Sequence, residues 1–339
     1  MSAQTMVNQG TMMAIVQRTY GSPDVLRHSE IARPAIGEGD VLVRVHAASV
    51  NAADWHLMRG MPYIIRGVGS RMGFGMRGPR SAVLGLNVAG TVEAVGNGVT
   101  QFQPGEEVFG EHPGAFAEYL VAPESALAPK PANLSFEQAA AMPLAATTAL
   151  QGLRDHGRIQ PGQTVLINGA SGGVGHFAVQ IAKAFGAEVT GVCSTRNLEM
   201  VRSIGADHVI DYTRDDFTDG QRRYDVILDL VGNRSLSHLR RALTLQGTLL
   251  ISHGAGGRWM GPMGTILRAI LTSIFVSQRL RTFEATTTQA DLMVVKDLVE
   301  AGTITPIIDR TYPLNQTAEA VRYVEQGHAR GKVVITVRP

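Results

Sequence analysis

Hydrophobic and polar positions along the chain follow two rhythms. From Met13 to about Ala128, short runs rich in β-branched residues alternate apolar with polar and are cut by Gly and Pro, as in AIVQRTYG, DVLVRVHAASV, VAGTVEAVG and GEEVFG. A period of two with frequent turn residues predicts short strands, and so a mostly β region. From about Ser135 the spacing lengthens: FEQAAAMPLAATTALQGL predicts a helix, and TVLINGA, after a PGQ turn, predicts a buried strand. Phe177, Ala178, Ile181, Ala182 and Phe185 follow Val174 by three, four, seven, eight and eleven residues, which is one face of a helix.

Further continuous apolar runs, EVTGVC, HVIDY, YDVILDLVG and GTLLIS, alternate with several helical stretches. Strand–helix–strand repetition predicts an α/β region, a doubly wound parallel sheet covered on both faces. A helix near Asp291 to Ala301 precedes KVVITV, a last strand expected to return to the first region. The expected division is 1–134, 135–288 and 289–339, the last part rejoining the first. Trp259 to Phe283 contains an amphipathic helix flanked by arginines, a lid or packing helix over the active site. It carries few basic residues on its polar side, which speaks against a membrane-surface helix.

Composition narrows the function classes. The 339 residues are 44% hydrophobic and 18% charged with a net charge of +2, a globular balance without the basic excess of a nucleic-acid binder. The single cysteine, Cys193, excludes an intrachain disulfide and a four-cysteine zinc site and suits a reducing cytoplasm. Met1 to Thr11 has neither a basic start nor an apolar run, so it does not read as a signal peptide, and no uncharged run is long enough to insert stably across a bilayer.

The stretch Ala170-Ser171-Gly172-Gly173-Val174-Gly175 follows the buried strand and opens the amphipathic helix. It matches a G-x-G-x-x-G phosphate loop with alanine in the first place. Gly172 lets backbone approach a pyrophosphate, Gly175 lets helix pack on strand, and the helix N-terminus faces the negative charge. About twenty residues on, where NAD-binding proteins place an acid on the ribose 2′-hydroxyl, the chain reads Cys193-Ser194-Thr195-Arg196-Asn197. Ser194 can donate to a 2′-phosphate and Arg196 can pair with it, so the expected cofactor is NADPH.

The stretches ASVNAADWHLMRG, VAGTVEAVGNGVTQFQPGEEVFG, MPLAATTALQGL, NGASGGVG, GADHVIDY and GKVVIT together resemble the medium-chain dehydrogenase/reductase superfamily, most closely its zinc-independent quinone oxidoreductase branch. The resemblance implies a GroES-like, mostly β catalytic domain around a Rossmann domain, in a homo-oligomer with a dimer favoured. It also implies that Asn51 and Thr148 flank the nicotinamide, with Asn51 a donor to the substrate oxygen. Tyr212 would lie near the adenosine phosphate. Val231, Gly232, Ser252, His253 and Gly254 would line the dinucleotide cleft, and Lys332 would reach phosphate or ribose. Tyr63 is a candidate acid; His56 stands at a relay position but lacks its hydroxyl partner, Ala53 being there instead. Where zinc alcohol dehydrogenases of the superfamily carry cysteine and a His-Glu pair, this chain has Asn51, Leu86 and Asn87, and no metal is expected. Without a Lewis acid an alkoxide is hard to form, whereas a quinone or an α,β-unsaturated carbonyl takes up charge on its own conjugated oxygen. The expected activity is NADPH-dependent reduction of such an acceptor. The alternatives are a small-alcohol dehydrogenase and a nucleotide-binding protein with little turnover.

Overall fold

The computed structural model of the chain describes residues 10–64, 66, 74–76, 78–253, 259, 261 and 263–337. The β-rich part opens with β1 (Thr11–Val16) paired antiparallel to β2 (Arg27–Ala32). The long strand β3 (Asp40–Val50) is almost wholly buried and runs directly into α1 (Ala52–Arg59). Asn51 is the N-cap; its backbone N–H donates to the Asp54 carboxylate at 2.7 Å, and Gly60 closes the helix at φ 62°. Then follow β4 (Asn87–Val95), β5 (Glu107–Glu111), β6 (Tyr119–Pro123) and β7 (Leu127–Pro129).

The helix expected over FEQAAAMPLAATTALQGL divides in two, α2 (Phe136–Ala140) and α3 (Pro143–Gln151). Pro143 lacks the N–H that would continue the first helix, and stands at the start of the second, where that N–H has no intrahelical partner anyway. Next come β8 (Thr164–Asn168), α4 (Gly175–Ala184), β9 (Glu188–Cys193), α5 (Leu198–Ser203) and β10 (His208–Asp211). They are followed by β11 (Tyr224–Asp229), α6 (Leu236–Arg241), β12 (Leu243–Ile251), α7 (Met263–Ser273) and β13 (Arg279–Thr282). These six strands form one parallel sheet in the order β10-β9-β8-β11-β12-β13, the doubly wound Rossmann arrangement. The stretch between Trp259 and Phe283, in which an amphipathic helix is expected, supplies α7 and also the sixth strand.

The chain continues through α8 (Gln289–Glu300), β14 (Ile308–Pro313), α9 (Thr317–Glu325) and β15 (Lys332–Thr336). β15 lies antiparallel to β3, Val333 opposite Val50, and parallel to β14, which completes a mixed sheet β14-β15-β3-β4-β5-β7 with β6 also on β3. One hydrophobic core joins the two sheets. Ala47, Ala89, Phe109 and Val334 of the mixed sheet pack in the same buried cluster as Met142 and Ala146, Phe177 of α4, and Val165 and Ile167 of β8. Among the described residues no helix is long and apolar enough to cross a membrane.

Candidate active site

The strand-to-helix loop after β8 has little freedom. Gly169 turns at φ +91°, and Gly172 N–H donates back to the Gly169 carbonyl at 3.0 Å. A Cβ on Gly175 would lie 2.0 Å from that same carbonyl oxygen, so only glycine fits there. A Cβ on Gly172 would meet nothing nearer than this oxygen, at 3.3 Å, which leaves its other side open. Ala170 and Ser171 are buried and Val174 half-buried. The open backbone at Gly172, ahead of a ten-residue helix, is the cradle a pyrophosphate needs.

Two side chains outside the motif hold the loop, and a third braces the helix behind it. Asn197 donates to Ser171 Oγ at 2.9 Å and to Ser194 Oγ at 3.3 Å, while its own Oδ1 is buried without a partner. His176, fully buried, holds Gly172 O through Nδ1 at 3.0 Å, and its Nε2 accepts from Ile307 N–H at 3.2 Å. The tautomer is fixed by these partners, and burial pushes the imidazole down to about 4. Gln180, one turn on, exchanges hydrogen bonds with Thr305 through both ends of its amide, at 3.0 and 2.8 Å. On the far side Gly331 N–H donates to Ser171 O at 2.8 Å, and a Cβ on Gly173 would touch the Lys332 stem at 3.4 Å.

The strand ends carry the residues singled out for the rest of a dinucleotide. Ser194 is half-buried, and Arg196 is exposed with one guanidinium N–H on the His328 carbonyl at 2.7 Å. Tyr212 is exposed just past β10. An acid does lie close by, one strand over: Asp211, opposite Cys193, is buried and accepts from Thr195 Oγ1 at 2.5 Å and Thr213 Oγ1 at 2.7 Å. Those hydroxyls hold its carboxyl below the usual range, the Thr195 bond foremost. Past β11, the backbone N–H groups of Val231 and Gly232 donate to Asp229 Oδ1 at 3.2 and 3.1 Å. Asn168 donates to the same oxygen at 2.8 Å, Ser252 N–H reaches the Asp229 carbonyl at 3.1 Å, and His253 Nε2 lies 3.6 Å from Oδ2. Gly254 lies outside the described residues.

The polar centre forms where β15 meets the end of β3. Lys332 is only 3% exposed, and its ammonium donates to Asn51 Oδ1 at 2.5 Å and to Val50 O at 3.3 Å. An ammonium has donors only, so the Asn51 amide must turn its oxygen to Lys332. Its nitrogen then donates to Ser49 O at 3.2 Å, and the same side chain also acts on the Asp54 carboxyl. Two carboxyls that sequence reasoning passed over share this centre electrostatically. Asp54 is fully buried with Oδ1 unpartnered, and burial raises it to about 7. Glu111, accepting from Thr287 Oγ1, is also raised by burial. Burial lowers Lys332 to about 8, against the opposing pull of Asp54 and Glu111.

Thr148 and Tyr63 are not hydrogen-bonded to this centre among the described residues. The Thr148 hydroxyl bonds back to Leu144 O in its own helix at 2.6 Å. Tyr63 packs edge-on against Trp259 with Arg66 over its ring. His56 stacks on Trp55, and burial lowers it from its ordinary value. Asn87, at one of the positions compared with a zinc ligand, is wholly buried and structural in its contacts, donating to Ser49 Oγ at 3.2 Å and accepting from Leu144 N–H at 3.4 Å.

Residues 37–132 match the alcohol dehydrogenase GroES-like domain, and residues 204–335 match the family described as zinc-binding dehydrogenase. The mouse mitochondrial NAD(P)H oxidoreductase RTN4IP1 is 35% identical over 98% of this chain and 91% of its own. The chain belongs to the medium-chain dehydrogenase/reductase superfamily, in its quinone oxidoreductase-like branch. Membership makes it an NAD(P)H oxidoreductase. Tomato 2-methylene-furan-3-one reductase is also 35% identical, over 93% of this chain and 76% of the relative. The solved quinone oxidoreductase of Coxiella burnetii superposes with a TM-score of 0.85 at 29% identity, over 97% of this chain and 100% of that one.

Proposed function

We propose that the chain is an NADPH-dependent reductase that delivers hydride to a quinone or an α,β-unsaturated carbonyl without a metal ion. The observation that carries this reading is the pair Lys332–Asn51. Where the zinc enzymes of the superfamily hold a thiolate ligand, this chain has an amide whose oxygen is held by a buried ammonium and whose nitrogen is a donor. Bound NADPH supplies the hydride. As the acceptor oxygen gains negative charge, Asn51 donates to it and the Lys332 cation stabilises it from behind, an arrangement set before reaction. Solvent protonates the product.

The donor set does not fit zinc. Asn51 and Leu86 replace two ligands, Ala53 replaces the relay hydroxyl, and the one cysteine is buried at the end of β9. Among the described residues no group of three or more His, Cys, Asp or Glu side chains is arranged to hold a metal. The loop does fit a dinucleotide: Gly172 leaves its backbone open, and Ser171, Ser194 and Asn197 border it. Exposed Arg196 and Tyr212 meet a 2′-phosphate, while Asp211 is engaged by two threonine hydroxyls. Val231, Gly232, Ser252 and His253 line the adjoining strand ends, and Thr148 and Tyr63 keep supporting roles at the nicotinamide and the acceptor. The division at 134/135 and 288/289 belongs to this reading, supported by which strands enter which sheet, as do a homodimer and a reducing, cytoplasmic setting for Cys193, whose thiol burial raises to about 11.

Two relatives support the acceptor class: the tomato enzyme's named substrate is a conjugated enone, and the Coxiella protein is named for quinones. The test is NADPH oxidation by purified protein with quinones, enones, and, in reverse, NADP⁺ with simple alcohols. Turnover is expected with the first two and far slower with the last; no turnover with any acceptor would leave a dinucleotide-binding protein.

A further inference from the structure

Two serine hydroxyls at the dinucleotide cleft share one buried partner. After β9 the chain turns back on itself, Asn197 N–H donating to the Ser194 carbonyl at 2.9 Å. The strand can lie close under the phosphate loop because Gly191 has no side chain; a Cβ there would come within 3.0 Å of Ala170 Cβ and 2.5 Å of Val201. Turn and close approach together bring the Asn197 amide, 4% exposed, to Ser171 in the loop and to Ser194 at the strand end.

The amide's orientation decides what those serines can do. Its nitrogen has two N–H groups and faces two oxygens, Ser171 Oγ at 2.9 Å and Ser194 Oγ at 3.3 Å. Turned over, it would leave two buried N–H groups without acceptors, whereas as it stands only Oδ1 lacks a partner. Both hydroxyls are therefore acceptors toward Asn197. Among the described residues neither has another hydrogen-bond partner, so the single proton of each is left to point elsewhere. Thr195, next in the turn, shows the contrary case: its hydroxyl donates to Asp211, and its proton is already engaged.

We propose that Asn197 is a positioning residue that holds the Ser171 and Ser194 hydroxyls as donors toward the two anionic groups of NADPH, Ser171 toward the pyrophosphate and Ser194 toward the 2′-phosphate. The inference rests on the NADPH reading above. A carboxylate in the same place would do the reverse, accepting both protons and repelling both phosphates.

The test is the dissociation constants of NADPH and NADH, by calorimetric titration without an acceptor, with circular dichroism and the thermal midpoint as checks on the fold. Asn197→Leu removes the amide at similar volume. It should weaken NADH about threefold, through Ser171 alone, and NADPH about tenfold, through both serines, the effects of one and of two neutral hydrogen bonds. In a Ser194→Ala background the same change should weaken both cofactors alike, by about threefold. Asn197→Asp, nearly unchanged in shape, should weaken both further and NADPH most, and it carries the test should the leucine variant not fold. An equal loss for both cofactors in the otherwise unaltered chain, no loss, or an NADPH-selective loss that persists in Ser194→Ala would overturn the proposal. Wild type that binds NADH as tightly as NADPH would overturn the NADPH reading and this inference together, whereas a chain that prefers NADPH and fails only the Asn197 comparison would lose the inference alone.

Discussion

Replacing His176 by asparagine should alter how stability depends on pH in a way the burial of the ring fixes in advance. The imidazole titrates near 6.5 when unfolded and near 4 in the folded chain. Between those values the unfolded chain binds the proton and the folded chain does not, so stability is fully present above about 6.5 and is lost as pH falls toward 4. Each tenfold difference in proton affinity between the two states corresponds to about 1.4 kcal/mol. From pH 7.5 to 4.5 the wild type should therefore lose about 2–3 kcal/mol through this residue alone. Asp54 titrates over an overlapping range with opposite sign, but it is present in both proteins and cancels in their difference. Asparagine keeps an N–H for the Gly172 carbonyl and gives up the acceptor for Ile307 N–H, so the variant should be less stable at pH 7.5. The gap should close by about 2–3 kcal/mol as pH falls to 4.5, read from urea midpoints at a series of pH values. A gap that stays constant over that range would refute the buried neutral histidine and the clamp built on it.

Four further outcomes can be checked. Gly172→Ala should keep the fold and weaken dinucleotide binding by calorimetric titration, whereas Gly175→Ala, whose Cβ would sit 2.0 Å from a carbonyl oxygen, should lower the thermal midpoint itself. Arg196→Ala should weaken NADPH binding by roughly ten- to a hundredfold and leave NADH nearly unchanged, the range for one charge-assisted hydrogen bond. Because Lys332 loses its proton as pH rises through about 8, kcat with a quinone or enone should decline above that value; in Lys332→Met the rate should be low throughout and this decline absent. Metal analysis should find no stoichiometric zinc, and chelators should not change the rate; one tightly bound zinc per chain, with activity lost on its removal, would contradict the metal-free reading.

The parallel sheet was legible because its strands are buried on both sides and so read as continuous apolar runs, TVLIN and YDVILD among them. β13 was not: its RLRT alternates arginine with half-buried positions at a sheet edge and reads like the polar flank of a helix. The break at Pro143 was visible as a proline and was overridden by the alanine-rich pattern around it. Lys332 could be attached to the cleft only through resemblance, since a lysine after glycine in sequence is as readily solvated; burial comes from β15 closing on β3, a contact across 281 positions. Asp54 looked like an ordinary first-turn acid. His176 and Gln180 carried a usable signal, two uncharged polar residues one turn apart on the side of α4 away from its apolar stripe, which is what a helix buried on two faces needs.

The joint at Gly331–Lys332 has a consequence for biosynthesis. It bonds Ser171 and Ile307 through successive backbone N–H groups and supplies the cation for Asn51, so three distant stretches converge on two adjacent residues. During synthesis the Rossmann sheet is complete in sequence before these residues leave the ribosome, and nascent chains generally fold domain by domain. A nascent chain whose dinucleotide loop is held by Asn197 and His176 thus still lacks both the Gly331 bond to Ser171 and the ammonium that orients Asn51. Cofactor capture can precede catalytic competence, and a product cut short before residue 331 should bind without reducing.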